Sequence, residues 1–187
     1  MINDIKKACE VMQAGGVILY PTDTIWGLGC DATNAEAVKR VYEIKHRMDQ
    51  KAMLVLVDSP VKVDFYVDDV PQIAWDLIDL TTKPLTIIYS NGRNLAPNLM
   101  APDGSIGIRV TQEEFSKQLC FRFRKAIVST SANISGESSP ALFNEISDEI
   151  KEQVDYIVHY RQDDVSRSSP SSIIKLGTGG EVKVLRE

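Results

Sequence analysis

The chain has 187 residues, of which 43% are hydrophobic, and it carries a formal net charge of −5. A chain of this length can bury roughly 70% of its unfolded surface, and its acidic balance argues against a surface that binds RNA or DNA throughout. Its three cysteines, Cys9, Cys30 and Cys120, are too far apart to indicate a disulfide framework or a zinc site. Because the sequence lacks a signal peptide pattern and an apolar run of ~20 residues, we expect a cytoplasmic protein with no membrane partner.

Helix and strand patterns alternate along the chain, which is typical of an α/β protein. Apolar residues at helical spacing predict helices over residues 2–12, 34–44, 72–78, 115–120 and 141–154, and Asn34 is the expected N-cap of the second helix. Apolar or alternating runs predict strands over residues 17–20, 53–57, 85–89, 106–110, 126–130, 156–160, 173–176 and 182–185. Several strands are apolar on both faces, so we expect one α/β domain over residues 1–187, with helices on both faces of its sheet. In the strand 106–110, alternation predicts one buried face, with Arg109 on the other face.

The first predicted strand is followed by a polar stretch, PTDTIWGLGCDA, from Pro21 to Ala32. Its proline and glycines fit a turn, in which Thr22 or Asp23 acts as a cap and the glycines relax the backbone. A turn does not need Thr22, Asp23 and Thr24 together, however, and polar loops at strand ends are where open α/β sheets bind ligands. The stretch therefore predicts either a turn or one wall of a ligand site.

Three cations, Lys45, Arg47 and Lys51, lie close together near the polar end of the second predicted helix. Cations at a helix C-terminus gain ~0.3–1 kcal/mol each from the helix dipole. A triphosphate also needs several cations in one place. The spacing by itself leaves both interpretations open.

The stretch FRFRK, residues 121–125, places Arg122, Arg124 and Lys125 next to two phenylalanines. Interleaved cations and aromatic rings are typical of segments that hold RNA through phosphate contacts and base stacking. An ordinary basic surface turn before a strand has the same composition. The acidic net charge favours the surface turn over a protein that only binds RNA.

The segment from Val128 to Pro140 is rich in serine and threonine and contains Asn133. Uncharged hydroxyl and amide groups suit polar ligand atoms whose charge other groups neutralise. A serine nucleophile has little support, because the G-x-S-x-G motif is absent and neither His46 nor His159 has the context of a catalytic base. The glycine motifs that cradle phosphates are also absent, so any nucleotide must be held by side chains.

Taken together, these residues resemble the YrdC (TsaC) family of threonylcarbamoyl-AMP synthases over nearly the whole chain. PTDTIWGLG is similar to the family pattern P-T-[DE]-T-x-[YW]-G-L-G, and Lys45-His46-Arg47 is similar to its K-x-R. Ser131-Ala132-Asn133 is similar to its S-x-N, and SPSSIIKL resembles its S-T-I-[VI]-D segment. The resemblance implies a twisted, mixed sheet with an open ligand cavity.

The resemblance also implies a reaction, in which L-threonine, bicarbonate and ATP give threonylcarbamoyl-AMP and pyrophosphate for threonylcarbamoyladenosine in tRNA. Mg²⁺ would arrive with ATP rather than at a protein metal site. Further partners that it implies are proteins that transfer the threonylcarbamoyl group and a direct contact with tRNA or double-stranded RNA.

Positions carried over from the family imply three overlapping sets of site residues. Those expected near threonine are Thr24, Arg109, Ser129 and Ser172, with Ser171 as the alternative to Ser172. Those expected near ATP are Arg47, Lys51, Ser131, Asn133 and Ser139. Those expected to act in catalysis are Lys45, Arg47, Ser131 and Asn133.

The chain departs from the family pattern beside three of these motifs. Met48 stands where proline usually follows K-x-R, and Lys83-Pro84-Leu85-Thr86 stands in place of P-G-P-x-T. Thr111-Gln112-Glu113 stands where a proline and a histidine are usual. The departures leave two branches open: the synthase, and a YciO-like protein or RNA-binding module without synthase activity.

Overall fold

The computed structural model describes residues 1–47, 53–168 and 170–187. The helices in these ranges are α1 (Ile2–Gln13), α2 (Ala35–Ile44), α3 (Val61–Tyr66), α4 (Gln72–Leu80), α5 (Glu114–Phe123) and α6 (Asp148–Gln153). The strands are β1 (Ile18–Tyr20), β2 (Gly27–Gly29), β3 (Leu54–Val57), β4 (Leu85–Tyr89), β5 (Ile106–Val110), β6 (Ile127–Ser131), β7 (Tyr156–Ile157), β8 (Ser172–Leu176) and β9 (Val182–Arg186). None of the helices in these ranges is long and apolar enough to cross a membrane.

The strands form one sheet in the order β7-β1-β2-β6-β3-β5-β4-β8-β9. The pairs β1–β7, β3–β5 and β4–β8 are parallel, and the other neighbours are antiparallel. This arrangement confirms the predicted α/β fold with a mixed sheet. The predicted cap of α2 is also confirmed, because the Asn34 side chain accepts hydrogen bonds from the N–H groups of Glu36 and Ala37.

Strand β5 has a different side chain chemistry on each face of the sheet. Ile108 lies on one face beside Ile87, and Arg109 lies on the other face beside Leu56. The prediction that only one face of this strand is buried was wrong, because Arg109 is 3% exposed. Strand β5 lies between β3 and β4 in the interior of the sheet, where both faces are covered.

Strand β2 was not predicted, because two of its three residues are glycines, which are unfavourable in strands. The structure shows why glycine is needed at Gly29. A Cβ atom there would lie 2.5 Å from Cε1 of Tyr20 and 2.9 Å from the carbonyl oxygen of Val128. Gly29 therefore makes room for a buried ring and a neighbouring strand, and the expectation that it relaxes the backbone of a turn was wrong.

The predicted helix over 141–154 is broken into a 3-10 turn, Phe143–Glu145, and the short helix α6. Ile146 between them is extended, and the hydroxyl of Ser147 accepts a hydrogen bond from the N–H of Ile150 as the N-cap of α6. Ile146 and Ile150 are both buried, as the apolar spacing indicates. Ser147 between them, however, starts a new helix instead of continuing one. Strand β7 is also shorter than the predicted 156–160.

Candidate functional site

The turn after β1 is held by the hydroxyl of Thr22. This hydroxyl donates to the carbonyl of Ile25 over 2.8 Å and accepts from the N–H of Thr24 over 3.1 Å. It also lies 3.0 Å from the hydroxyl of Thr24, and both threonines are buried. The turn interpretation is therefore correct for Thr22. The Thr24 hydroxyl has capacity for a further hydrogen bond to a ligand.

This turn forms one wall of a cavity of about 200 Å³, which we call the polar cavity. It lies on the Arg109 face of the sheet. Of the predicted site residues, those that line it are Thr24, Arg47, Arg109, Ser129, Ser131, Ser139 and Ser171. Other lining residues are Thr22, Ile25, Trp26, Gly27, Met53, Leu54, Thr130, Pro170, Ile173 and Arg186. The fold therefore brings together residues from stretches that are far apart in sequence.

Three predicted residues are placed differently. Lys45, Asn133 and Ser172 are not among the residues that line the polar cavity. Between the two serine alternatives, the structure places Ser171 rather than Ser172 at the cavity. Lys51 lies outside the described residues, so its assignment stays a prediction.

Arg109 supplies a buried positive charge to the polar cavity. Its Nε atom lies 3.0 Å from Oδ1 of Asp23, although neither atom has an aligned hydrogen bond among the described residues. Burial lowers the pKa of Arg109. Burial also raises the pKa of Asp23, and this effect outweighs the opposite effect of the neighbouring guanidinium. A guanidinium stays protonated under such conditions and suits a carboxylate ligand.

Lys45 ties the end of α2 to the loop after β6. Its ammonium group donates to the carbonyls of Ser131 over 2.5 Å and Asn133 over 2.8 Å. Lys45 is 3% exposed, and burial, with the nearby charge of Arg47, lowers the pKa of its amine to about 8. Lys45 therefore lies at the end of α2 as predicted, but the expectation that it sits on a polar surface there was wrong, and in this structure it positions the serine-rich loop.

The Asn133 side chain shapes the same loop. Its Nδ2 donates to the carbonyls of Ile134 and Glu137 over 2.9 and 3.0 Å. Its Oδ1 accepts from the hydroxyl of Ser139 over 3.4 Å. These contacts hold Ser139 at the cavity wall, so the S-x-N motif acts here through loop geometry.

Arg186 is a cavity residue that sequence reasoning missed. Its Nε donates to the carbonyl of Ser171 over 2.8 Å, and the Ser171 hydroxyl lies 2.8 Å from the hydroxyl of Thr86. Arg186 belongs to β9, at the far edge of the sheet from β1, and no motif marked it. Trp26 was also missed, although its aromatic position in the glycine-flanked motif was a usable signal; its ring lies 4.8 Å from that of Phe143.

The FRFRK stretch does not form one basic strip. Phe123 is buried in the core, and Lys125 forms a 2.6 Å ion pair with Asp31. Phe121 is 71% exposed, and Arg122 and Arg124 line a groove beside α1 that shares no residue with the polar cavity. The interpretation of two stacking phenylalanines was therefore wrong for Phe123.

The part of the chain that the structure describes contains no group of three or more histidine, cysteine, aspartate or glutamate residues arranged to hold a metal ion. The expectation that Mg²⁺ arrives with ATP stays a prediction.

Comparisons with known proteins connect this geometry to a family. The Sua5/YciO/YrdC family model, described as "Telomere recombination", matches residues 10–187. The threonylcarbamoyl-AMP synthase of Pseudoalteromonas translucida is 33% identical over 181 residues, which cover 95% of each chain. The structure of E. coli YciO is similar with a TM-score of 0.85 at 26% identity, over all of this chain and 90% of YciO. The structure of P. abyssi Sua5 complexed with L-threonine is similar with a TM-score of 0.85 at 23% identity, which shows a shared fold. The match covers 97% of this chain and 53% of that protein.

Proposed function

Since the chain belongs to the Sua5/YciO/YrdC family, we propose that it is a threonylcarbamoyl-AMP synthase that uses L-threonine, bicarbonate and ATP. The observation that carries the proposal is the polar cavity, in which the buried charge of Arg109 and the hydroxyls of Thr24 and Ser129 line the same space as Arg47. The similarity to named synthases at about one third identity supports the same activity.

The cavity separates two kinds of ligand group. Arg109 and the buried hydroxyls of Thr24 and Ser129 match the carboxylate, amine and hydroxyl of a small amino acid. Arg47 is only half-buried, and Ser139 and Arg186 are exposed, so these residues border solvent. A volume of about 200 Å³ suits an amino acid. The nucleotide would therefore lie across the open side of the cavity.

The chemistry needs no covalent enzyme intermediate. The threonine amine takes up bicarbonate with loss of water to give a carbamate. A carbamate oxygen then forms a bond to the α-phosphorus of ATP, and the bond from that phosphorus to the bridging oxygen breaks to release pyrophosphate. In this scheme Arg109 holds the threonine carboxylate, Arg47 neutralises phosphate charge, and Lys45 positions Ser131 through the loop.

We expect pyrophosphate release to require ATP, Mg²⁺, L-threonine and bicarbonate together. Omission of each component in turn, with the others at saturation, should reduce release to background. L-Serine should be a poorer substrate by ~1–3 kcal/mol, because the pocket loses contact with one methyl group. Undiminished release without threonine would instead identify a nucleotide hydrolase.

A second candidate function, an RNA-binding module without synthase activity, is favoured by the exposed Phe121 next to Arg122. These residues lie away from the polar cavity, so the two candidate functions use different surfaces.

The double variant Arg122→Gln/Arg124→Gln should keep pyrophosphate release within about twofold of the parent, because neither residue lines the polar cavity. If the groove contacts RNA, the salt dependence of tRNA binding should flatten by up to about one phosphate contact per lost charge. A suitable control is Lys7→Gln/Lys39→Gln, which removes two exposed lysines from surface ion pairs. Loss of pyrophosphate release in a folded Arg122→Gln/Arg124→Gln variant would place this groove in the active site. Tight tRNA binding by a parent protein that makes no adenylate would favour the RNA-binding module.

A further inference from the structure

From the structure we infer that the chain has a second ligand site, for an aliphatic amino acid, on the opposite face of the sheet from the polar cavity. The site is a cavity of about 250 Å³ between α4 and strands β4 and β5, which we call the second cavity. Residues that line it include Asp23, Ile78, Lys83, Ile87, Ile108 and Val110.

Alternation along β5 separates the second cavity from the polar cavity. Ile108 and Val110 line the second cavity, and Arg109 between them lines the polar cavity. None of the described residues lines both cavities. They are joined by the contact between Asp23, which lines the second cavity, and Arg109.

The walls of the second cavity predict the body of its ligand. Ile78 of α4 faces the same space as Ile87 and Ile108 of the sheet, so the ligand meets branched aliphatic groups from both sides. Burying an aliphatic side chain against such walls favours binding, because it removes apolar surface from water. Cavities for larger ligands run from roughly 300 Å³ upward, so a volume of about 250 Å³ suits a small metabolite and not a nucleotide.

The two charged residues of the second cavity predict the ends of the ligand. The Asp23 side chain is 10% exposed and lines the second cavity, so its carboxylate, which has more acceptor sites than one neighbouring guanidinium fills, suits a charged donor such as an ammonium group. Lys83 is exposed and takes part in none of the ion pairs between described residues. A buried anion and an exposed cation with aliphatic walls between them fit a zwitterion with a branched apolar side chain.

A ligand ammonium at Asp23 competes with Arg109 for the same carboxylate. Because Arg109 lines the polar cavity, ligands in the two cavities weaken each other's binding. By thermodynamic linkage, each ligand lowers the affinity for the other by the same factor. This coupling rests on the proposed function, whereas the existence of the second site does not.

The test is calorimetric titration of the whole chain with L-leucine, without ATP or threonine, so the result does not depend on synthase activity. Leucine should bind at millimolar concentrations, 3-methylbutylamine more weakly, and 4-methylpentanoate not at all. Absence of leucine binding, or equal binding of the amine that lacks a carboxylate, would overturn the assignment.

Variants locate the binding. Val110→Phe, which fills the second cavity from β5, should abolish leucine binding. If that variant fails to fold, Ile78→Phe fills the cavity from α4 and should abolish binding in the same way. Lys83→Gln should weaken binding roughly two- to fivefold, the value of an exposed ion pair, and the matched control Lys7→Gln should leave it unchanged. Leucine binding that survives both cavity-filling variants but is lost in Ser129→Ala would assign the ligand to the polar cavity and refute the second site.

Discussion

Replacing Arg109 by methionine should lower the free energy of unfolding by about 3–5 kcal/mol, the cost of leaving a buried charge without its partner. Arg109 is almost fully buried, and its nearest charged group is the carboxylate of Asp23 at 3.0 Å. With Arg109 removed, burial raises the pKa of Asp23 further, so the carboxyl group must either protonate or stay charged in a buried setting without its cation. Chemical denaturation of the parent and the variant measures the difference.

Two further variants show whether the loss comes from this pair. The double variant Asp23→Asn/Arg109→Met should be less destabilised than Arg109→Met, because it leaves no unpaired charge. The control Arg93→Met breaks an exposed ion pair with Asp68 and should cost no more than about 1 kcal/mol. If Arg109→Met lowered the free energy of unfolding no more than Arg93→Met, Arg109 would not be a buried, paired charge at the polar cavity.

Replacing Arg47 by alanine should cost ~2–4 kcal/mol of transition-state stabilisation, similar to the loss of one donor at a charged transition state. Arg47 lines the polar cavity directly after α2 and is only half-buried, so the substitution should leave the fold intact. Turnover and circular dichroism on the same samples separate loss of activity from loss of structure.

The matched control for this prediction is Arg40→Ala. Arg40 lies on α2, forms an ion pair with Asp155 at 2.6 Å and does not line the polar cavity. Its replacement should leave turnover unchanged. Full activity in folded Arg47→Ala would refute the assignment of Arg47 to phosphate charge.

Elements with strong local signals were predictable from the sequence. Strand β4 has its predicted bounds, and α2 begins directly after its predicted cap, Asn34. Strand β2 was not predictable, because its Gly29 is explained only by the packing of the Tyr20 ring and the carbonyl of Val128. Local propensity carries no information about a neighbouring strand from a distant part of the chain.

The candidate site likewise contains residues that the sequence predicts and residues that it does not. Motif residues such as Thr24, Arg109 and Ser131 reach one cavity, because strand ends and loops bring their stretches together. The burial of Lys45 could not be predicted, since the carbonyls that hold it belong to the last residue of β6 and to the loop that follows it. Arg186 was not visible either, because only the pairing of β9 with β8 brings it to Ser171.

The most direct test of the proposed activity follows the carbon atom of bicarbonate. Purified protein is incubated with labelled bicarbonate, L-threonine and Mg²⁺-ATP, and the products are separated and identified by mass spectrometry. The account predicts a labelled threonylcarbamoyl adenylate, formed in equal amount with pyrophosphate and absent when threonine is omitted. Pyrophosphate or AMP formed without label in an adenylate would contradict it.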